Sequence, residues 1–286
     1  MAYQILTDSC CDFTPEKYRE LGLEALPLSV TYRGRTYDDR NDETLKELYD
    51  GLRAGEVATT AAVNPARWES AMLPILAAGK DVYIMAFSSG LSTTYQSAVI
   101  AAEELAEQYP NRKILVSDTL CASLGQGLLV WYACKKRDEG LSMEQLHDWV
   151  EENKLHLCHW FTVNDLMYLK RGGRVSAATA LLGTALNIKP ILHVDDEGHL
   201  INVDKVRGRK TSIAALAEKV AQLGGNYDNR VMFISHGDCL ADAQALAEIL
   251  KTRFGVEEVY INYVGAVIGS HSGPGTLALF FMGDHR

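Results

Sequence analysis

Three stretches of the sequence gather side chains suited to holding or activating a small polar group. The first is Ser88-Ser89-Gly90-Leu91-Ser92-Thr93-Thr94, set between an apolar run at 82–87 and a helical pattern at 94–109. A turn in that place brings hydroxyls together with unpaired backbone N–H groups at a helix N-terminus, an arrangement that suits an anion. It has no Gly-Lys-Ser/Thr and so is not a phosphate-binding P-loop. Further hydroxyls stand in Thr7-Asp8-Ser9 and Ser117-Asp118-Thr119 at strand ends, and in Thr59-Thr60, read as a loop. The second stretch, KRGGRVSAATALLGTALNIKPIL at 170–192, flanks Gly172-Gly173 with Arg171 and Arg174. The glycines allow a loop with φ > 0. The small, uncharged helix expected after them either belongs to the core or lines an apolar ligand cavity. The third, IGSHSGPGTLALFF at 268–281, puts His271 among serines and glycines at an expected strand–turn–strand junction. Gly273-Pro274-Gly275 would let the backbone approach a ligand closely. The segment looks like a G-x-S-x-G nucleophile elbow, but its central residue is histidine. His236, in ISHGD, is a second candidate base.

Several classes of chemistry find no support. No G-x-G-x-x-G follows a strand, and H-E-x-x-H is absent. The six cysteines form no C-x-x-C pair and read as buried free thiols. His156, Cys158 and His159 tempt as metal ligands, yet in a strand His159 points away from the other two, so no metal is expected. The net charge of −9, with no basic stripe, argues against nucleic acid. No apolar run approaches the ~18 residues of a membrane span. The opening MAYQILTDS lacks the charged-then-apolar pattern of a signal peptide, so a cytoplasmic location is expected.

The elements that must position these residues alternate. Strands are expected at YQILTDS, DVYIMAF and KILVSD, and helices at FTPEKYRELG, DETLKELYDGLRAG, NPARWESAMLPILAAG and the segment after Thr94. Thr14-Pro15 and Asn64-Pro65 read as cap-then-proline starts, and Ser142 with Gln145 as a capping box. Pro74 is expected to kink its helix or start a new turn. LGQGLLVWYACKKRDEG is apolar enough for a buried helix. Such alternation implies a parallel sheet with helices on both faces and ligands beyond the carboxyl ends of the strands. After residue 155 the pattern turns strand-rich, with a hairpin at Asp196-Glu197-Gly198 and further strands at RVMFISHGD, EVYINYVGAVIGSH and TLALFFM. The expected fold is therefore α/β in two domains. Residues 1–155 form an α/β/α parallel-sheet domain with the anion-binding turns, and residues 156–286 an α/β domain with a mixed sheet.

Six motifs in order, TDSCCDFTPE, SSGLSTTYQSA, DTLCASLGQG, FTVNDLMYLKRGGRVS, LLGTALNIKPIL and IGSHSGPGTLAL, resemble those of the DegV family, the fatty-acid-binding proteins of bacterial fatty-acid kinases. The resemblance covers nearly the whole chain. It implies a three-layer α/β/α domain and a two-layer mixed-sheet domain that together bury one long-chain fatty acid, with no other cofactor. It implies that Thr60 and Ser92 hold the carboxylate, that His271 completes the polar network, and that Arg174 and Arg207 face the head group or an ATP-dependent kinase subunit. Ser89 belongs to the same serine-rich motif. The chain departs from the family at Ala61-Ala62, where polar residues are usual, and at Thr93, usually glycine, whose side chain either crowds the head group or adds a hydroxyl. The resemblance implies a lipid carrier that presents its ligand to the kinase and has no catalytic residue of its own.

Elementary energetics agrees with a carboxylate. One negative charge is neutralised by hydroxyls and helix N–H groups without lysine, each charge-assisted hydrogen bond contributing about 1.5–3 kcal/mol. Each buried CH₂ adds ~0.8 kcal/mol. Two other readings remain open at this point. One is a hydrolase using Ser92 with His271 or His236, and the other a binder of a small anion or phosphorylated metabolite.

Overall fold

Successive residues of β1 (Tyr3–Asp8) go to opposite cores: Tyr3 and Ile5 to one, Leu6 to the other. A strand covered on both faces must be apolar on both, which is why Ile5 and Leu6 are adjacent apolar residues where a one-faced strand would alternate. The computed structural model describes residues 3–39, 42–176 and 187–286. In chain order β1 is followed by α1 (Pro15–Glu20), β2 (Glu24–Leu26), β3 (Ser29–Tyr32), β4 (Arg35–Asp38), α2 (Asp42–Arg53), β5 (Thr59–Ala61), α3 (Pro65–Ala77), β6 (Asp81–Ala86), α4 (Thr94–Gln108), β7 (Ile114–Asp118), α5 (Leu124–Asp138) and α6 (Met143–Asn153). Then come β8 (Leu157–Thr162), α7 (Met167–Arg171), β9 (Ile188–Val194), β10 (Leu200–Arg207), α8 (Arg209–Leu223), β11 (Val231–His236), α9 (Leu240–Phe254), β12 (Glu258–Tyr263), α10 (Ala266–Ser272) and β13 (Leu277–Met282).

The fold is α/β, as the alternation implies. A parallel sheet runs in the order β2-β1-β6-β7. Val82, Ile84 and Ala86 of β6 pack with Trp68 and Met72 of α3 and Ala98 and Leu105 of α4. Tyr83 and Met85 pack on the opposite face with Leu124 and Leu128 of α5. A separate mixed sheet of six strands, β10-β9-β8-β13-β11-β12, draws all its strands from residues 157–282. One of its faces packs on α8 and α9 through Leu216, Val220, Leu246 and Leu250. Its other face, with Phe161, Phe233 and Phe280, shares a core with α5.

The buried helix α5 thus lies between the two sheets, and two of its glycines permit the approach. A Cβ at Gly127 would fall 2.7 Å from Cys11 O on the parallel-sheet side. A Cβ at Gly125 would fall 2.2 Å from His159 Nε2 of β8.

Local signals hold where their chemistry is local. Thr14, Asn64 and Ser142 each accept the backbone N–H of their N3 residue, and the capping box of Ser142 with Gln145 is complete. Elsewhere the structure differs from the expectation. Pro74 lies inside α3, which runs on to Ala77. Residues 59–61 are a strand, not a loop. β5 pairs with β3 in a small antiparallel sheet, β4-β3-β5, through Val30 and Thr60. Residues 266–272 form α10 and not a strand, so His271 sits on a helix. Most of the small apolar helix expected at 176–187 falls on residues 177–186, outside the described residues. No helix among the described residues is long and apolar enough to cross a membrane.

Candidate functional site

A cavity of about 410 Å³ lies where β5, the serine-rich turn, the segment after α7, the N-terminal end of α5, α10 and strands β8 and β13 meet. Six of the seven residues singled out in the sequence line it: Thr60, Ser89, Ser92, Thr93, Arg174 and His271. Arg207 does not. It is exposed at the end of β10, in register with Ile188 of β9. His236 also lies off the lining. Its ring packs at a tilt against Tyr263, and its Nδ1 accepts the Cys239 N–H.

The polar residues form one end of the cavity. Thr60 Oγ1 and His271 Nε2 are 2.8 Å apart. His271 packs over Gly172, where a Cβ would fall 2.2 Å from its Nδ1. Gly172 is therefore needed for close approach, while Gly173 is the one at positive φ (72°). Arg174 donates from Nε and Nη2 to Leu91 O, at 3.2 and 3.0 Å, and from Nη1 to Gly172 O. Burial lowers the Arg174 pKa. Burial first, and the Arg174 charge second, push His271 down to about 4, so its imidazole is neutral at pH 7. No carboxylate of the described residues forms an ion pair with Arg174. A half-buried guanidinium whose partners among the described residues are all carbonyls favours an incoming anion, since it keeps its full charge.

The serine-rich turn is built from below. Asp118 Oδ1 accepts the N–H groups of Ser89 and Leu120, both at 3.1 Å. Ser88 is fully buried, and its Oγ donates to Gly198 O of the β9–β10 hairpin at 3.0 Å. Ser92 Oγ accepts the Thr94 N–H at 3.2 Å and lies 2.9 Å from Thr94 Oγ1. Thr93 caps α4 without a side-chain cap bond. The other hydroxyls at strand ends are structural. Thr7 and Thr119 donate to the carbonyls of Met85 and Ala86, and Ser117 bonds Tyr83 and Glu151.

Exposure falls along the cavity. Ser89 and Thr93 are exposed, and Thr60, Ser92, Arg174 and His271 are half-buried. At the other end Phe161, Ala278, Phe280 and His159 are buried. Most of the polar groups there already have partners, though the buried Oγ of Ser272 has none among the described residues. His159 Nδ1 faces Leu157 O at 3.0 Å, and its Nε2 accepts the Ala122 N–H at 3.2 Å. Ser123 Oγ lies between Asp12 and Ser235. Its backbone, at φ 56° and ψ −147°, occupies a region nearly reserved for glycine.

The sequence reading missed the apolar wall from α10. Val267, Ile268 and His271 of α10 line the cavity from one face of that helix, with Val264 just before its cap beside them. That pattern was available in the sequence. Neither Ser92–His271 nor Ser92–His236 is hydrogen-bonded, because His271 pairs with Thr60 and Ser92 with Thr94. Among the described residues, no group of three or more His, Cys, Asp or Glu is placed to hold a metal ion.

The chain matches known proteins along its length. A family model described as an uncharacterised protein of the DegV family matches residues 2–284. A DegV domain-containing protein of Clostridium perfringens is 43% identical over 286 residues, covering 99% of this chain and 98% of that protein. Among solved structures, a DegV family protein of Thermus thermophilus, described by its fatty acid binding, aligns with a TM-score of 0.89 at 32% identity, covering 99% of this chain and 100% of that one. DegV of Bacillus subtilis, described as a fatty acid binding protein, aligns at 0.83 and 28% identity, covering 99% and 100%. The chain belongs to the DegV family.

Proposed function

We propose that the protein binds one long-chain fatty acid, with the carboxylate at Thr60, Ser92, His271 and Arg174 and the tail in the buried part of the cavity. The observation that carries this reading is the polarity gradient. A cationic, hydroxyl-bearing end is partly open, and the remaining wall is mostly apolar, its polar atoms hydrogen-bonded apart from Ser272 Oγ, which has no partner among the described residues. The fatty acid binding described for the Thermus thermophilus and Bacillus subtilis relatives supports it. The volume suits a ligand of that class. Ser89 and Thr93 stand at the rim, where Thr93 adds a hydroxyl. Residues 1–155 act as the domain that supplies Thr60 and Ser92 to the head group, and residues 156–286 as the one that supplies Arg174, His271 and much of the tail wall.

In the same reading the protein is a carrier, not an enzyme, and presents the carboxylate to a separate ATP-dependent kinase in the cytoplasm. One carboxylate oxygen attacks the terminal phosphorus of ATP, ADP leaves, and an acyl phosphate forms. Only the carboxylate end need be reachable, and the polar end is the open one. Arg207, exposed and away from the cavity, is assigned to the kinase-facing surface. A serine hydrolase is not favoured, since among the described residues Ser92 has no base in hydrogen-bond reach.

Native mass spectrometry of the purified protein, followed by extraction, tests the binding. A stoichiometric adduct of fatty-acid mass is expected. Replacing both Thr60 and Ser92 by alanine is expected to weaken binding by about tenfold or more, from the loss of charge-assisted hydrogen bonds. Unchanged affinity in the double variant would rule out this head-group assignment.

A further inference from the structure

We propose that Gly125, His159 and Phe280 set the length of acyl chain that the cavity accepts, with Gly125 fixing how far the two rings intrude. The inference rests on the fatty-acid reading above and adds a specificity determinant to it.

His159 of β8 and Phe280 of β13 both line the buried end of the cavity and are only 2% exposed. Their rings meet edge to face, with centroids 5.3 Å apart and planes at 86°. Gly125, in the first turn of α5, presses on this pair from behind. A Cβ there would fall 2.2 Å from His159 Nε2 and 2.7 Å from Phe280 Cδ1. Neither distance is tolerated without movement. The His159 ring cannot turn freely, because both its nitrogens are engaged, with Leu157 O and with the Ala122 N–H. The sheet behind the rings is close-packed, and packed interiors do not yield volume. The free space beside both rings is the cavity itself. A methyl group at position 125 therefore pushes the end wall inward, and removal of the Phe280 ring moves it outward.

The test is an affinity profile for saturated acids from decanoate to octadecanoate, in the full-length protein, for wild type, Gly125→Ala and Phe280→Ala. Wild-type affinity is expected to rise with length and then level off where the cavity is full. In Gly125→Ala it levels off at a shorter chain, and an acid with two methylenes more than fit loses roughly tenfold. In Phe280→Ala it levels off at a longer one. A common factor across all lengths, or an unchanged profile in both variants, would overturn the proposal. If Gly125→Ala does not fold, the Phe280→Ala profile decides alone, and an unmoved plateau overturns the proposal. A wild type that binds no acid of any length overturns the fatty-acid reading as well, which separates the two failures.

Discussion

At His271 two effects act in one direction: burial and the neighbouring Arg174 charge both disfavour the imidazolium, and its pKa falls from 6.5 to about 4. The folded state therefore takes up this proton later than the unfolded chain as pH drops. The stabilising contribution is complete above pH 6.5 and is lost as pH falls through about 4. Asp8 runs the other way, since burial raises its carboxyl to about 6 and its contribution is lost as pH rises through that value. Comparison of wild type with His271→Gln cancels the Asp8 effect. In urea unfolding of the ligand-free protein, the wild-type advantage is expected to shrink by on the order of 3 kcal/mol between pH 7 and pH 4. A constant difference would mean that His271 titrates normally. At this scale Thr60, Ser92, Arg174 and His271, singled out from the sequence and the family resemblance, do line one cavity. The role of Gly172 was not legible in the sequence. Its own φ is ordinary, and only the packing of His271 over it makes glycine necessary.

The element that carries His271 is held by distant carboxylates. Gly265 N–H donates to Asp12 Oδ1 at 3.0 Å, and Val267 N–H to Asp39 Oδ1 at 2.7 Å. Ser9 Oγ and Ser123 Oγ donate to the second oxygens of Asp39 and Asp12. Asp39→Ala leaves a buried N–H without this acceptor and is expected to cost about 1–3 kcal/mol in thermal or urea unfolding. Its fatty-acid affinity should fall too, because α10 also carries Val267 and Ile268 of the cavity wall. Loss of stability with full affinity would show that α10 keeps its place without Asp39. The same contacts explain why α10 was unreadable. Its N-cap is Gly265, which offers no capping side chain, and its cap partners stand more than two hundred positions away. Helices whose caps are local, such as those starting after Thr14, Asn64 and Ser142, were legible at their starts. β5 was missed for a related reason: three small residues show no alternation, and only pairing with β3 makes them a strand.

Taken whole, the molecule shares one helix between two sheets. Both sheet classes were legible from the alternation of elements. The cavity was not, because its walls come from residues as far apart as Leu28 and Phe280. With α5 in contact with both sheets, the two cannot unfold independently without baring its apolar surface. Trp68 reports on the parallel-sheet side and Trp160 on the mixed sheet. Their fluorescence, read separately in Trp160→Phe and Trp68→Phe variants that also lack the tryptophans of α5 and α6, is expected to change in one common urea transition. Added fatty acid at a hundred times its dissociation constant should stabilise both signals alike, by about 2.7 kcal/mol. Two separated transitions would show that α5 does not couple the sheets. The shared helix also governs traffic. A bound tail cannot be freed by parting the sheets like jaws, since α5 would have to leave one of them. In the pose proposed above, it slides out along its own axis, carboxylate first, past the rim. Residence time then belongs to the tail: each added methylene lengthens the journey, while changes at the rim alter mainly how often it begins.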